Sequence, residues 1–215
     1  VNKIFTPSKE SCRLGSKKAE ITGHGIDIDK FKSHPATSGT KFKIISVGRI
    51  ARVKNLHLLI EVAEILKSKN FNFNVKIAGS PILKSDQIYF ENLKNLIQEK
   101  KLDDIVEFVG SLPNKNIAEF YQDGDLFVNF SDTGSIDKAA LEAMACGLKI
   151  LTSNEAFKNI LKEENITDKN PENISNKIIS LEKRASDFNF RSYVAKNHNL
   201  DTLIAKIIQC FKKDE

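Results

Sequence analysis

An alternation of two hydrophobic patterns constrains the fold of this chain more than any other feature. Short apolar runs predict strands at residues 42–47, 73–78, 105–109, 125–129 and 149–152. Apolar residues at helical spacing fill the intervals, at residues 55–68, 85–100, 114–122 and 138–146. Strands that alternate with helices form βαβ units around a parallel sheet. We therefore predict an α/β, Rossmann-like domain with helices on both faces of the sheet.

The segments on either side of this alternation differ from it. After Pro171 only helical patterns remain, which predicts a helical C-terminal tail. The first 35 residues hold short extended pieces and a turn-rich connector, and residues 33–40 are polar and loop-like. We expect residues 1–35 to end a preceding domain and residues 36–215 to form the main domain. Because the chain lacks an initiator methionine, we also expect it to begin inside a longer protein.

Composition argues against several functional classes. No apolar run approaches the roughly 20 residues that span a bilayer. The net charge of +5 comes from lysines scattered along the chain, which favours a solvated surface over a nucleic-acid interface. The three cysteines lie far apart and the four histidines show no metal spacing, so we predict neither a disulfide nor a metal site. A reducing, cytoplasmic setting is expected.

The first candidate for chemistry is the loop after the first long strand. Gly48 lets the backbone turn, and Arg49 and Lys54 follow before a helix begins. Arginine can donate a forked pair of hydrogen bonds to a phosphate, and a helix N-terminus adds amides and a favourable dipole. The loop is no P-loop, because GxxxxGK[ST] is absent. On the residues alone, a diphosphate clamp and ordinary solvated loop cations are equally good interpretations.

The second candidate is a glycine- and serine-containing loop that leads into an apolar helix. The loop holds Gly134, Ser135, Ile136, Asp137 and Lys138. The helix after it contains Leu141 and one carboxylate, Glu142, among small apolar neighbours. A helix that is apolar all round is usually buried, and a carboxylate there needs partners such as a pair of sugar hydroxyls. This reasoning places a functional role for Glu142 slightly ahead of a merely exposed one.

The third candidate is the strand end at Phe108 and Val109. Backbone groups beyond a strand end can pair with the edge of a nucleotide base, and these side chains could add apolar contact. An ordinary strand end followed by a turn is the better interpretation on the residues alone. No Ser-His-Asp arrangement, HExxH or GxGxxG accompanies any of the three segments, so an oxidoreductase is poorly supported.

Taken together and in order, these segments resemble the family 4 retaining glycosyltransferases of the GT-B fold. The resemblance covers nearly the whole chain. It rests on Val47-Gly48-Arg49 with Lys54, on the strand from Ile105 to Gly110, and on the helix Leu141-Glu142-Ala143-Met144-Ala145-Cys146-Gly147. The residues from Gly23 to Phe31 resemble the family's interdomain connector. Each fragment alone is weak, and the ordered set is specific.

The resemblance implies a role for each segment. Arg49 and Lys54 would hold the diphosphate of a nucleotide-sugar donor, and Glu142 would bind the ribose. Phe108 and Val109 would frame the base, and the loop 134–138 would face the transferred sugar. The implied reaction is hexosyl transfer with retention and without a metal or other cofactor. The acceptor would bind mainly to the missing first domain, at the inner face of the membrane if the full protein makes peripheral contact there.

One position departs from the family pattern. The family has two glutamates in E-x7-E; Glu142 matches the second, and Gly134 stands at the first. The family's EGFG is here Gly134-Ser135-Ile136-Asp137. We hypothesise that Asp137, with Lys138, substitutes in part for the lost carboxylate. The departure also keeps open the alternative of a non-catalytic nucleotide-sugar-binding or regulatory module.

Overall fold

A computed structural model describes residues 3–9, 11–12, 15–33, 40–184 and 189–212. A two-stranded parallel sheet is formed by β1 (Ile4–Thr6) and β2 (Ala19–Ile21). The central five-stranded sheet consists of β3 (Phe42–Val47), β4 (Phe73–Ala78), β5 (Val106–Gly110), β6 (Leu126–Asn129) and β7 (Lys149–Thr152). The helices are α1 (Leu56–Ser68), α2 (Lys84–Glu99), α3 (Ile117–Gln122), α4 (Lys138–Ala145), α5 (Pro171–Lys183), α6 (Phe190–Asn197) and α7 (Leu200–Lys212).

The central sheet is parallel throughout, with the strand order β5-β4-β3-β6-β7. From β3 the chain runs outward to β5 and then crosses back to β6 on the other side of β3. The connections that leave β3 and β6 therefore diverge. Ligands of such sheets bind in the crevice that this divergence opens beyond the carboxyl ends of the strands. The parallel sheet predicted from the alternation is confirmed.

The core lies on both faces of the central sheet. Along β3, Ile44 belongs to a hydrophobic cluster that includes residues of α1, α2 and α5, whereas its neighbour Ile45 belongs to a second cluster with residues of α3, α4 and α6. Successive strand residues point to opposite faces, so one strand supplies both clusters. The predicted helices on both faces are therefore confirmed, as is the helical C-terminal tail.

The connector is fastened to the main domain. Ile26 and Phe31 are buried in the second cluster. The guanidinium of Arg191 on α6 donates hydrogen bonds to the carbonyls of Ile28, Phe31 and Ala145, at 2.8, 2.5 and 2.8 Å. One side chain therefore ties the connector to the end of α4.

The expected domain boundary falls mostly within residues 34–39, which lie outside the described residues. Among the helices that are described, none combines the length and the apolar character that crossing a bilayer requires.

Candidate functional site

Three glycines bring the carboxyl ends of β3, β4 and β5 close together. The amide of Gly48 donates to Ala78 at 3.0 Å, and the amide of Gly79 donates to Gly110 at 2.8 Å. Gly79 has φ 142°, and a Cβ added to it would lie 1.9 Å from the carbonyl oxygen of Gly48. Only glycine permits this backbone approach. Gly79 directly follows the strand predicted at residues 73–78, but its contact with Gly48 is seen only in three dimensions.

Lys54 lies where three elements meet beside the crevice. It ends the 3-10 helix Arg52–Lys54, between β3 and α1. Its ammonium contacts Oδ2 of Asp137, which is the N-cap residue of α4. The same oxygen accepts a hydrogen bond of 3.0 Å from Nδ2 of Asn129, the last residue of β6. The contact thus joins the ends of β3 and β6, where the direction of the sheet order reverses.

Arg49 approaches the same crevice from the side of α2. Its Nε lies 3.7 Å from Oδ2 of Asp86, whose side chain is only 9% exposed. Asp86 also accepts a hydrogen bond of 3.3 Å from the amide of Leu83 at the start of α2. Arg49 and Lys54 line one small cavity together with Gly48 and Asn129. The two predicted cations are therefore neighbours in one cleft, each beside a carboxylate of the chain.

Glu142 lies on α4, outside the small cavity that Arg49 and Lys54 line. Its Oε2 accepts a hydrogen bond of 3.0 Å from the hydroxyl of Tyr121 on α3, and Tyr121 is wholly buried. Burial raises the pKa of Glu142, against the hydrogen bond from Tyr121, which lowers it. The charge of Asp137 also raises the pKa of Glu142, so the two carboxylates lie within electrostatic range. Glu142 does not line the small cavity and makes no ion pair with Arg49 or Lys54 in the described structure.

The loop before α4 is held by its backbone. The carbonyl of Ser135 accepts a hydrogen bond of 2.8 Å from Nδ2 of Asn154, which is buried. Gly134 is exposed, with φ 65°. Ile136 and Leu141 are buried, so any contact they make with a ligand in the crevice would come from their backbone groups. In contrast, Lys138 is exposed at the first position of α4.

The end of β5 carries a bulge. Ile77 pairs with Phe108 and Ala78 pairs with Gly110, so Val109 is left without a partner in the register. The ring of Phe108 packs edge-on against Phe90 of α2, with 4.9 Å between the ring centroids. Phe108 therefore lies against a helix of the main domain, and the bulge at Val109 turns the strand end beside Gly79.

The residue patterns missed several members of this site. Asn129 could have been found, because it is a polar residue that ends a fully buried strand just before the loop 134–138. Tyr121, Asp86 and Asn154 gave no signal, since their partners are distant in the sequence. Among the described residues, no group of three or more histidine, cysteine, aspartate or glutamate side chains could hold a metal ion.

Solved structures share this architecture. Anabaena HepE in complex with UDP-glucose superimposes with a TM-score of 0.84 over 99% of this chain and 64% of that chain, at 16% identity. The C-terminal domain of a glycosyl transferase group 1 protein from Francisella tularensis gives a TM-score of 0.64 over 85% of this chain and 98% of that domain, at 21% identity. The predicted fold, an α/β, Rossmann-like parallel sheet of the kind found in GT-B glycosyltransferases, is confirmed.

Similar curated proteins are also named glycosyltransferases. The amylovoran biosynthesis glycosyltransferase AmsK of Erwinia amylovora is 31% identical over 160 residues, which are 71% of this chain and 38% of that protein. A D-inositol 3-phosphate glycosyltransferase of Pseudarthrobacter chlorophenolicus is 24% identical over 165 residues, 70% of this chain and 39% of that protein. The chain thus spans well under half the length of these relatives. The model of the family "Glycosyl transferases group 1" matches residues 27–212, and the chain belongs to that family.

Proposed function

We propose that this chain is the donor-binding half of a family 4 retaining glycosyltransferase that transfers a hexosyl group from a nucleoside diphosphate sugar. The observation that carries the proposal is the position of Lys54. It lies beside the reversal point of the sheet and lines the same small cavity as Arg49, so two cations stand at the crevice in which a diphosphate would bind. A polar crevice at this point of a parallel sheet is the usual place for a nucleotide.

The side chains divide the proposed work between them. Arg49 and Lys54 neutralise the charge that develops on the leaving diphosphate, and losing one such contact typically costs about 2–4 kcal/mol of barrier. Glu142, with one oxygen held by Tyr121, presents its carboxylate to the ribose hydroxyls. The loop 134–138 faces the transferred sugar, and Phe108 with Val109 lies on the side of the base. No metal is required in this scheme, because the two cations supply the charge.

The comparisons support a uridine donor as the first choice to test, because HepE was solved with UDP-glucose. The acceptor is proposed to bind mainly to another domain, since the chain spans 38% of AmsK. The two domains would close over both substrates, as lids and domains commonly do in transferases. The chain alone is then expected to bind a donor and to catalyse little.

Two observations favour a second candidate function. Gly134 has no side chain to place the donor sugar, and Asp137 is engaged with Lys54. A module that binds a nucleotide sugar without transferring it would tolerate both features. Such a module predicts donor binding without turnover in the complete protein, whereas the enzyme predicts both.

The test is calorimetric titration of UDP, GDP, ADP and UDP-glucose into the 215-residue chain. At least one nucleoside diphosphate should bind, and Arg49→Ala and Lys54→Ala should each weaken it about tenfold or more. Lys43→Ala is the matched control, because Lys43 also pairs with an aspartate but at the opposite edge of the sheet. If none of the nucleotides binds, or if the three variants bind alike, the proposal is wrong.

A further inference from the structure

The side chain of Asp137 is turned away from its own helix. An aspartate at an N-cap position usually accepts a hydrogen bond from an amide of the first helical turn. Asp137 makes no such bond, although it is the N-cap residue of α4. Its Oδ2 instead contacts Lys54 and accepts the hydrogen bond from Asn129. The crevice, and not the helix, therefore determines where this carboxylate lies.

The surroundings make this contact stronger than an ordinary surface ion pair. The side chains of Lys54 and Asp137 are only 18% and 13% exposed. Screening by water and salt is weaker in such a site than at the surface. A diphosphate that approaches the Lys54 ammonium therefore meets a carboxylate that is already bound to it. Like charges so close together repel each other strongly.

Arg49 provides the contrast within the same cavity. Its partner, Asp86, also accepts a hydrogen bond from the amide of Leu83 and is thereby tied to the start of α2. The guanidinium of Arg49 has further N–H groups to offer a phosphate while it stays beside Asp86. Lys54 has one compact ammonium, so Asp137 and a phosphate oxygen compete for the same point charge.

Compared with the family's EGFG motif, which this loop resembles, Asp137 brings an extra carboxylate. In the motif that the chain resembles, the position of Asp137 holds a glycine, which has no side chain to reach the cation. We propose that Asp137 is an intramolecular competitor for the diphosphate subsite, which holds Lys54 in the free protein and yields it when the donor's diphosphate binds. This inference rests on the proposed function.

Two consequences follow from the competition. The chain binds nucleoside diphosphates more weakly than it would with a neutral residue at position 137. The product diphosphate also leaves faster, because Asp137 can return to Lys54 as the product departs. Product release often limits turnover in transferases, so this residue would set both donor affinity and rate.

The experiment compares two charge-neutralising variants in the same loop. Asp137→Asn removes the competing charge and keeps the shape of the side chain. Asp132→Asn removes the same charge from a residue that contacts Lys169 and Asn55 instead of Lys54. Calorimetry gives the affinity for UDP, GDP and ADP, and stopped-flow displacement gives the dissociation rate. Asp137→Gly is measured alongside, with thermal melting as the check on folding of each variant.

We expect Asp137→Asn to bind the preferred nucleoside diphosphate about tenfold more tightly and to release it more slowly. Asp132→Asn should stay within about twofold of the unaltered chain. Equal or weaker binding by Asp137→Asn and Asp137→Gly overturns the inference and leaves the proposed function standing. An equal gain from Asp132→Asn also overturns it, because the effect is then general charge. If neither the unaltered chain nor Asp137→Asn binds any nucleotide, the proposed function fails, and the inference fails with it.

Discussion

The amino ends of the central strands form one edge of the sheet, here called the amino edge, and their carboxyl ends form the carboxyl edge. Each of these two edges carries a lysine–aspartate contact, but the contacts are built differently. At the amino edge, Asp123 lies between Lys43 and Lys76, at 2.5 and 3.2 Å. At the carboxyl edge, Asp137 contacts one lysine of the described residues, Lys54, and accepts a hydrogen bond from the neutral amide of Asn129. The amino-edge carboxylate is 40% exposed and the carboxyl-edge carboxylate 13%.

This difference indicates that the contact of Asp123 is structural, whereas the contact of Asp137 with Lys54 can be displaced by a ligand. Burial alone would raise the pKa of Asp123, but the hydrogen bonds from Lys43 and Lys76 outweigh it and lower the pKa. Two lysines, from β3 and β4, contact this one carboxylate, which thereby links both strands to the end of α3. The carboxyl-edge pair is matched one to one and sits beside strand ends that glycines hold close together. An anionic ligand can bind Lys54 there only by displacing Asp137 from it. Such exchange is expected of a binding site.

The largest effect is expected from disrupting the close approach of Gly79 to Gly48 at the carboxyl edge. Gly79→Ala places a Cβ against the Gly48 carbonyl at a φ of 142°, and we expect it to cost about 3 kcal/mol or more of unfolding free energy. Gly110→Ala is the matched control at the same edge. It has φ 74° with nothing within 4 Å of the new Cβ, so only about 1 kcal/mol of backbone strain is expected.

Urea unfolding of the two glycine variants measures this difference. A loss of only about 1 kcal/mol from Gly79→Ala, equal to that from Gly110→Ala, would mean that the strand ends can separate at little cost. The carboxyl edge would then not be constrained by the contact between Gly48 and Gly79.

A smaller loss of unfolding free energy is expected from Tyr121→Phe, which tests the hydrogen bond from Tyr121 to Glu142. The substitution removes the hydroxyl that donates to Glu142, and because this acceptor is only half-buried we expect a loss of about 1 kcal/mol, the lower end of the usual range. Because that hydrogen bond lowers the pKa of Glu142, its removal should raise the pKa further. Carbon-13 NMR of the glutamate carboxyls during a pH titration measures the shift. An unchanged pKa would show that the contact does not act on Glu142.

Glu142→Gln should act in the opposite direction on stability. Burial raises the folded-state pKa of Glu142 above its ordinary value of 4.5, so the protonated form is favoured by folding. The contribution of the protonated Glu142 carboxyl to the free energy of unfolding is fully present below the unfolded-state pKa, and it is lost as the pH rises through the folded-state pKa. A glutamine side chain cannot ionise, so the variant should be more stable than the unaltered chain at pH 7 and little changed at pH 4.

Unfolding curves at the two pH values check this prediction, with nucleotide affinity measured in parallel. A gain in stability together with weaker donor binding would identify Glu142 as a functional carboxylate kept at a cost. Equal stability at both pH values would mean that the carboxylate is not penalised by its surroundings.

The sequence predicted the fold well, because the fold depends on local patterns. Each predicted strand and each helix of the alternation was found within a few residues, since apolar spacing reflects which side chains face the core. The position of Lys54 at the crevice also followed from the pattern, because the carboxyl ends of parallel strands share one edge. Gly48 and Lys54 follow the first long strand of the pattern, so they lie at that edge.

The contacts within the site could not be predicted in the same way. Asp137 and Lys54 are 83 residues apart, and no local pattern specifies that the N-cap carboxylate leaves its helix for a lysine. The partner of Glu142, Tyr121, comes from another helix, α3, and the apolar spacing there predicts only a short helix and no partner for it. The roles of Arg49, Lys54, Glu142 and the other candidate residues stay predictions until nucleotide binding is measured.

The smallest effect is expected at the amino edge, from Asp123→Asn. Its lowered folded-state pKa means that the ionised carboxylate stabilises the fold above its ordinary pKa of 3.8, and that this contribution is lost as the pH falls through the folded pKa. The pair is partly exposed, so we expect a loss of about 0.2–1 kcal/mol at pH 7, and less at pH 3. Nucleotide affinity should not change. Because Asp123→Asn and Asp137→Asn remove the same charge from lysine-bound aspartates, a change of affinity with Asp123→Asn would show that net charge, and not the exchange at Lys54, governs binding.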